Sequence, residues 1–253
     1  MEFSPIMLLI VCPLALLAAF IDSAAGGGGL ISLPAYYLAG LPPYLAAGTN
    51  KLSAGLGAVA STIKFFKEKK MNIPVALIAA AMAFPGSALG VQVQHMIPEN
   101  YVRIMMVCVI PLVALVVLFR RKEGKALFEL SKGMYYVVSA LVGLVVGFYD
   151  GLVGPGTGTF LILGFTLFLG MDSVNASGTA KVVNLSSNIA ALTSYILSGE
   201  VMFALGIPAA ICAIIGNWLG AKTAISHGAG FIRKMLLVVL SLLLLKMIYD
   251  LFV

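Results

Sequence analysis

The chain has 253 residues, of which 61% are hydrophobic and only 10% charged, and its mean hydropathy is +1.06. A soluble domain carries about 25% charged residues, so this sequence has no means of clothing a core in a solvated surface and reads as a polytopic membrane protein without a soluble domain. Its net charge of +6 comes from short basic clusters between apolar runs; that placement reports membrane topology and excludes a nucleic-acid-binding stripe.

In chain order, the first apolar run covers residues 6–21 and carries Glu2 where a cleaved leader has basic residues, so it is kept as part of the mature protein. It leads into a polar, glycine-rich break, Asp22-Ser-Ala-Ala-Gly26-Gly-Gly-Gly29, followed by a short apolar segment at 30–39. Longer segments are expected at 44–66, 73–94 and 101–119, the first of them opening with Gly48-Thr-Asn-Lys51. A polar linker then precedes a second series. This has a break, Asp150-Gly-Leu-Val-Gly154-Pro-Gly-Thr-Gly158, a short segment at 159–169, and longer segments at 175–198, 201–222 and 231–252, with Gly178-Thr-Ala-Lys181 in the first. A spanning helix needs about 20 residues, so the longer segments suffice and the short ones beside the breaks are marginal.

The two series are diverged copies. Subtracting 130 pairs Gly178 with Gly48, Thr179 with Thr49, Lys181 with Lys51, Gly216 with Gly86 and Gly220 with Gly90, while the breaks align at an offset of 128. Residues 1–120 and 134–253 are therefore read as two transmembrane repeats joined by a cytoplasmic linker at 121–133. If each break forms a hairpin, each copy crosses an odd number of times and the second is inverted. Lys64, Lys67, Lys69 and Lys70, the linker cations, and Lys222, Arg233 and Lys234 then all fall on the cytoplasmic side. A parallel arrangement moves the last three outside. The expected fold is thus an all-α integral membrane protein of two inverted-topology repeats, each a glycine-broken hairpin plus three spanning helices.

Paired, interrupted hydrophobic segments are the sequence mark of a secondary transporter's substrate site. Lys51 and Lys181 lie roughly 12–14 Å of helical rise beyond their helix starts, and a lysine at that depth is a functional candidate. One reading makes both lysines, with Thr49, Asn50, Thr179 and Asn184, an anion site. The glycines (Gly26, Gly27, Gly28, Gly29, Gly154, Gly156, Gly158) and Thr157 and Thr159 would expose backbone amides and helix N-termini to the same anion. The other reading is an internal ion pair with Asp22 or Asp150. These two acids are candidates for coupling transport to protons, or else for capping the broken helix ends. Asn188, one turn beyond Asn184, shares its face. Gly55, Gly57, Gly143 and Gly147 are accounted for by close helix packing. Cys12, Cys108 and Cys212 lie singly in apolar segments with no CxxC spacing, and read as small apolar residues without a metal or disulfide role. With no P-loop, HExxH or nucleophile beside a base, no enzyme activity and no cofactor are expected.

The stretch Asp22 to Ile31 with Pro34, the Gly48-Thr-Asn-Lys-Leu52 signature, and Gly151 to Phe160 with Gly178-Thr-Ala-Lys181 resemble the sulfite exporter TauE/SafE family of membrane transporters. The resemblance covers nearly the whole chain. It implies movement, usually export, of a small sulfur-containing anion such as sulfite or an organosulfonate across the bacterial inner membrane by a multi-pass protein. The expected partners are the anionic substrate and the lipid bilayer, as monomer or homodimer, with alternating access as mechanism and a passive anion channel as the alternative. Position 180 is Ala where the first copy has Asn50, so the two half-sites are not equivalent.

Overall fold

The computed structural model describes residues 3–98, 100–102, 104–105, 108, 130–228 and 230. Within them the chain forms α1 (Pro5–Ala25), α2 (Gly29–Leu38), α3 (Pro43–Lys67), α4 (Ile73–His95), α5 (Lys132–Leu152), α6 (Thr157–Phe168), α7 (Ser173–Leu197) and α8 (Phe203–His227), with no strand among the described residues. Local chemistry sets the boundaries. Pro5, Pro43 and Pro74 occupy first-turn positions where a missing N–H costs nothing. Asn72 accepts from the Val75 amide, and Asp172 accepts from those of Val174 and Asn175 at 3.1 and 3.0 Å, so each caps the helix that follows. α1 stops where Gly26 turns left-handed at φ 78°.

Among the described residues, four helices (α1, α4, α5 and α8) are long and apolar enough to cross a membrane. α3 and α7 are 25 residues each, about 37 Å of rise. Their polar side chains, including Thr49, Asn50, Lys51 and Ser53 on α3, and Ser177, Thr179, Lys181 and Asn184 on α7, are turned into the protein. Large apolar residues such as Ile6, Leu9, Leu77, Leu141, Val145, Ile207 and Ile211 are exposed instead, the inverse of a water-soluble surface and the expected one against lipid chains.

The expected segments 44–66, 73–94 and 175–198 match α3, α4 and α7 to within a few residues, and α8 continues to His227, past the expected 222. The first run also continues further than expected. α1 carries through Asp22, and α5 through Asp150, so each acid sits in the last turn of a helix and the first break narrows to the glycines at 26–28. Most of 101–119 and of the linker, and all of the expected helix at 231–252, fall outside the described residues.

Packing between the two copies is reciprocal. The carbonyls of Leu16 and Phe20 on α1 lie where Cβ atoms would stand on Gly216 and Gly220 of α8; the carbonyls of Leu144 and Phe148 on α5 do the same to Gly86 and Gly90 of α4. Removing the side chain lets backbones approach and gain dispersion contact that no apolar solvent effect supplies in lipid. The α5/α4 contact is closed from both sides, because Gly143, Gly147 and Gly151 face Ala79, Ala83 and Ser87. One apolar cluster joins Met7 and Val11 of α1, Tyr36 of α2, Ala46 of α3, and Leu205 and Ala209 of α8. Another joins Val75 and Ala79 of α4, Val142 of α5, Leu161 and Phe165 of α6, and Ala176 and Ala180 of α7.

Candidate functional site

The two glycine breaks meet backbone to backbone. The Thr159 amide donates to Gly26 O at 3.0 Å and the Thr159 hydroxyl donates to Ala25 O at 3.1 Å. A Cβ on Gly26 would stand 2.1 Å from the Gly158 carbonyl carbon, and one on Gly158 would stand 2.5 Å from Gly26 Cα. Gly26, Gly154 and Gly156 all have positive φ, so at this junction glycine is required both for the turn and for the approach.

Beside the junction lie two buried ion pairs, each joining the copies. Lys51 Nζ of α3 is 2.7 Å from Asp150 Oδ2 at the end of α5, with side chains 7% and 3% exposed. Lys181 Nζ of α7 is 2.5 Å from both the carbonyl oxygen and Oδ2 of Asp22 at the end of α1. The internal-pair reading of the lysines therefore describes this state. The remaining carboxylate oxygens are also engaged: Thr157 donates to Asp150 Oδ1 at 2.7 Å, and the Gly28 amide to Asp22 Oδ1 at 3.3 Å.

The pairs are not equivalent. A cavity between the breaks is lined by Asp22, Gly26, Gly28, Gly29, Asn50 and Lys51 from the first copy and by Asp150, Gly154, Gly156, Thr157, Gly158 and Asn184 from the second. Lys51 and Asp150 therefore face open space, whereas Lys181 is fully buried and does not line the cavity. Four other expected site residues stay outside the lining as well. Thr49 Oγ1 accepts from the Met202 amide and Thr179 Oγ1 from the Asn72 amide, both at 3.0 Å, so these hydroxyls anchor the starts of α8 and α4. Thr159 holds the junction, and Gly27 is a break residue away from the cavity wall. The break amides are also less available than expected, since those of Gly26, Gly28, Thr157 and Thr159 already donate within the protein.

Residues that spacing did not single out complete the wall: Ser32, Ser53, Tyr195 and Asn217, together with Asn188. Ser53 is held by Tyr36, whose hydroxyl is 2.8 Å away. Asn188 donates to Asn184 O at 2.8 Å. Nothing in the sequence marks Asn217, because it stands alone in an apolar helix with no partner in the first copy of its own type. Among the described residues there is no group of acids, histidines or cysteines arranged to hold a metal ion.

The sulfite exporter TauE/SafE family model matches residues 11–247. A protein of Escherichia coli K12 named probable membrane transporter protein YfcA is 35% identical over 98% of this chain and 91% of its own length. A Haemophilus influenzae protein named probable membrane transporter protein is 35% identical over 92% of this chain and 91% of its own. Bacillus subtilis YdhB, of the same description, is 24% identical over 86% and 89%. No solved structure is a significant match. The chain belongs to the sulfite exporter TauE/SafE family of membrane transporters.

Proposed function

We propose that this TauE/SafE-family protein is a secondary transporter, working as an exporter from the bacterial cytoplasm, of a small sulfur-containing anion such as sulfite or an organosulfonate. The observation that carries the reading is the Lys51–Asp150 pair, buried yet facing a cavity walled by both glycine breaks. A lysine and a carboxylate are held together inside a low-dielectric space at considerable desolvation cost. As it stands the pair is neutral and offers an anion little. A proton taken up by Asp150 frees the Lys51 ammonium for the anion, so that proton and anion occupy the site together and it stays balanced; export by this step carries a proton outward with each anion and is driven by the anion's own outward gradient. Thr157, already on Asp150, keeps a hydroxyl at the point of exchange.

The reading includes two inverted repeats over residues 1–120 and 134–253, rocking against each other to expose the site alternately. Two features support it: the reciprocal packing of α1 on α8 and α5 on α4, and the grouping of the α1 and α3 starts in one apolar cluster and of the α4, α5 and α7 starts in another. Lys64, Lys67, Lys69 and Lys70 at the end of α3 and Lys132 at the start of α5 then mark the cytoplasmic side. Lys181 and Asp22 are the corresponding pair, with Lys181 buried away from the cavity in this state.

The test is binding of sulfite, thiosulfate, sulfoacetate, sulfate and acetate to purified protein, with Lys51→Ala alongside. One sulfur anion should bind, and the substitution should abolish binding while the protein stays folded. Binding of none, or binding indifferent to Lys51, refutes the site. In proteoliposomes, saturable uphill flux driven by a proton gradient and lost in Asp150→Asn separates a coupled transporter from a passive channel.

A further inference from the structure

Two amide oxygens in the cavity wall have no hydrogen-bond partner. Asn217 is 1% exposed; its Nδ2 donates to Ala213 O at 3.2 Å, and its Oδ1 is unpartnered. Asn50, 7% exposed, also has an unpartnered Oδ1. The Asn217 amide has a defined orientation, since turning it over would set its oxygen against the Ala213 carbonyl. Buried acceptors are normally satisfied, and each exception calls for a donor from elsewhere.

The corresponding half-site does not share this arrangement. The residue 130 positions before Asn217 is Ser87, whose hydroxyl donates to Ser187 O at 2.8 Å; the residue 130 after Asn50 is Ala180, which has no polar group. Both orphaned oxygens therefore belong to the half-site that faces the cavity with Lys51 and Asp150. An oxyanion headgroup brings only acceptors, which suit the Lys51 ammonium and leave an amide oxygen unanswered.

We propose that Asn217, with Asn50, reads a hydrogen-bond donor on the substrate, so that the preferred ligand is a small anion bearing a hydroxyl or ammonium group besides its charged head. This rests on the anion-transporter reading above and narrows its substrate class. A site that presents buried acceptors discriminates strongly against an analogue lacking the donor, because the acceptor is then left buried and unpaired. A water molecule held on Asn217 would satisfy the same oxygen and predicts no discrimination.

Two matched pairs test the inference on purified full-length protein: ethanesulfonate against 2-hydroxyethanesulfonate, and propanoate against 3-hydroxypropanoate. The hydroxylated member of at least one pair should bind about tenfold or more tightly. Asn217→Leu should reduce that preference to within about twofold. Should the Leu variant fail to fold, Asn217→Ala, which removes the acceptor without adding bulk, serves instead. Equal affinity within both pairs in the unsubstituted protein overturns the donor-reading role and leaves the anion site standing. Binding of none of the four overturns the donor-reading role, and it overturns the anion site as well only when sulfite and sulfoacetate also fail to bind. A preference that survives in a folded Asn217 variant places the donor contact elsewhere and overturns the assignment.

Discussion

Lys181→Met isolates what the Lys181–Asp22 ion pair contributes. The substitution removes an ammonium that is fully buried and that donates to both the carbonyl and the carboxylate of Asp22. Asp22, 17% exposed at its side chain, keeps only the 3.3 Å bond from the Gly28 amide. Removing one partner of a buried pair costs about 3–5 kcal/mol, because a charge is left uncompensated. That is roughly two to four powers of ten in the folding equilibrium. Replacing both partners with apolar residues, Lys181→Met with Asp22→Leu, takes the stranded charge away. Its cost falls to about 1–2 kcal/mol, chiefly from the lost cap on Gly28. Trp218 is the single tryptophan and stacks beneath the Lys64 ammonium, so its fluorescence during unfolding in mixed detergent micelles reports all four corners of the cycle. A coupling energy of at least about 2 kcal/mol is expected. If the single substitution proves as mild as the double, Asp22 is not held as a buried charge and the argument fails.

Other substitutions probe the junction and the caps. Gly26→Ala should abolish folding, since the new Cβ falls 2.1 Å from Gly158 backbone, whereas Gly199→Ala, at φ +72° with nothing within 4 Å, should cost only about 1–2 kcal/mol; equal yields of monodisperse protein would contradict the close junction. Asp172→Ala should destabilise by about 1 kcal/mol through loss of the α7 cap. Burial pushes the Asp172 carboxyl up, but hydrogen bonds from the Asn175 side chain and the Asn175 and Val174 amides outweigh this and hold it below the usual carboxylate range. The stability it supplies is thus fully present above the carboxylate's unfolded value and is lost as pH falls through the lower folded one. The gap between wild type and Asp172→Ala in unfolding experiments should narrow over that acidic window, and a gap that widens would refute the assignment. Cys12 and Cys212 lie on α1 and α8, which pack closely against each other. Copper-phenanthroline oxidation should join them and arrest transport until a reductant is added; continued flux in the cross-linked protein would exclude motion of α1 against α8.

Proline and cap chemistry made the helix starts legible: Pro43, Pro74 and Asp172 each stand where the sequence pattern predicts a beginning. The packing glycines were legible because a position that admits a carbonyl tolerates no side chain, and Gly86, Gly90, Gly216 and Gly220 all serve that purpose. Partner choice was harder to see. Thr49 and Thr179 share a motif with the lysines, yet they point to loop amides, since neighbours along a helix face different surroundings. Asn217 was invisible because its significance lies in an acceptor without a donor, a property of three-dimensional surroundings that spacing does not encode.

The exchanged packing of the halves has a consequence for biogenesis. Asp22 waits for a lysine 159 positions further along the chain, and α1 waits for α8, the last of the described helices. During synthesis the first helices therefore enter the bilayer with Asp22 and Lys51 uncompensated, and they settle only when the closing segments arrive. A nascent chain stalled after α4 should remain associated with the insertion machinery, whereas one extended past α8 should be released.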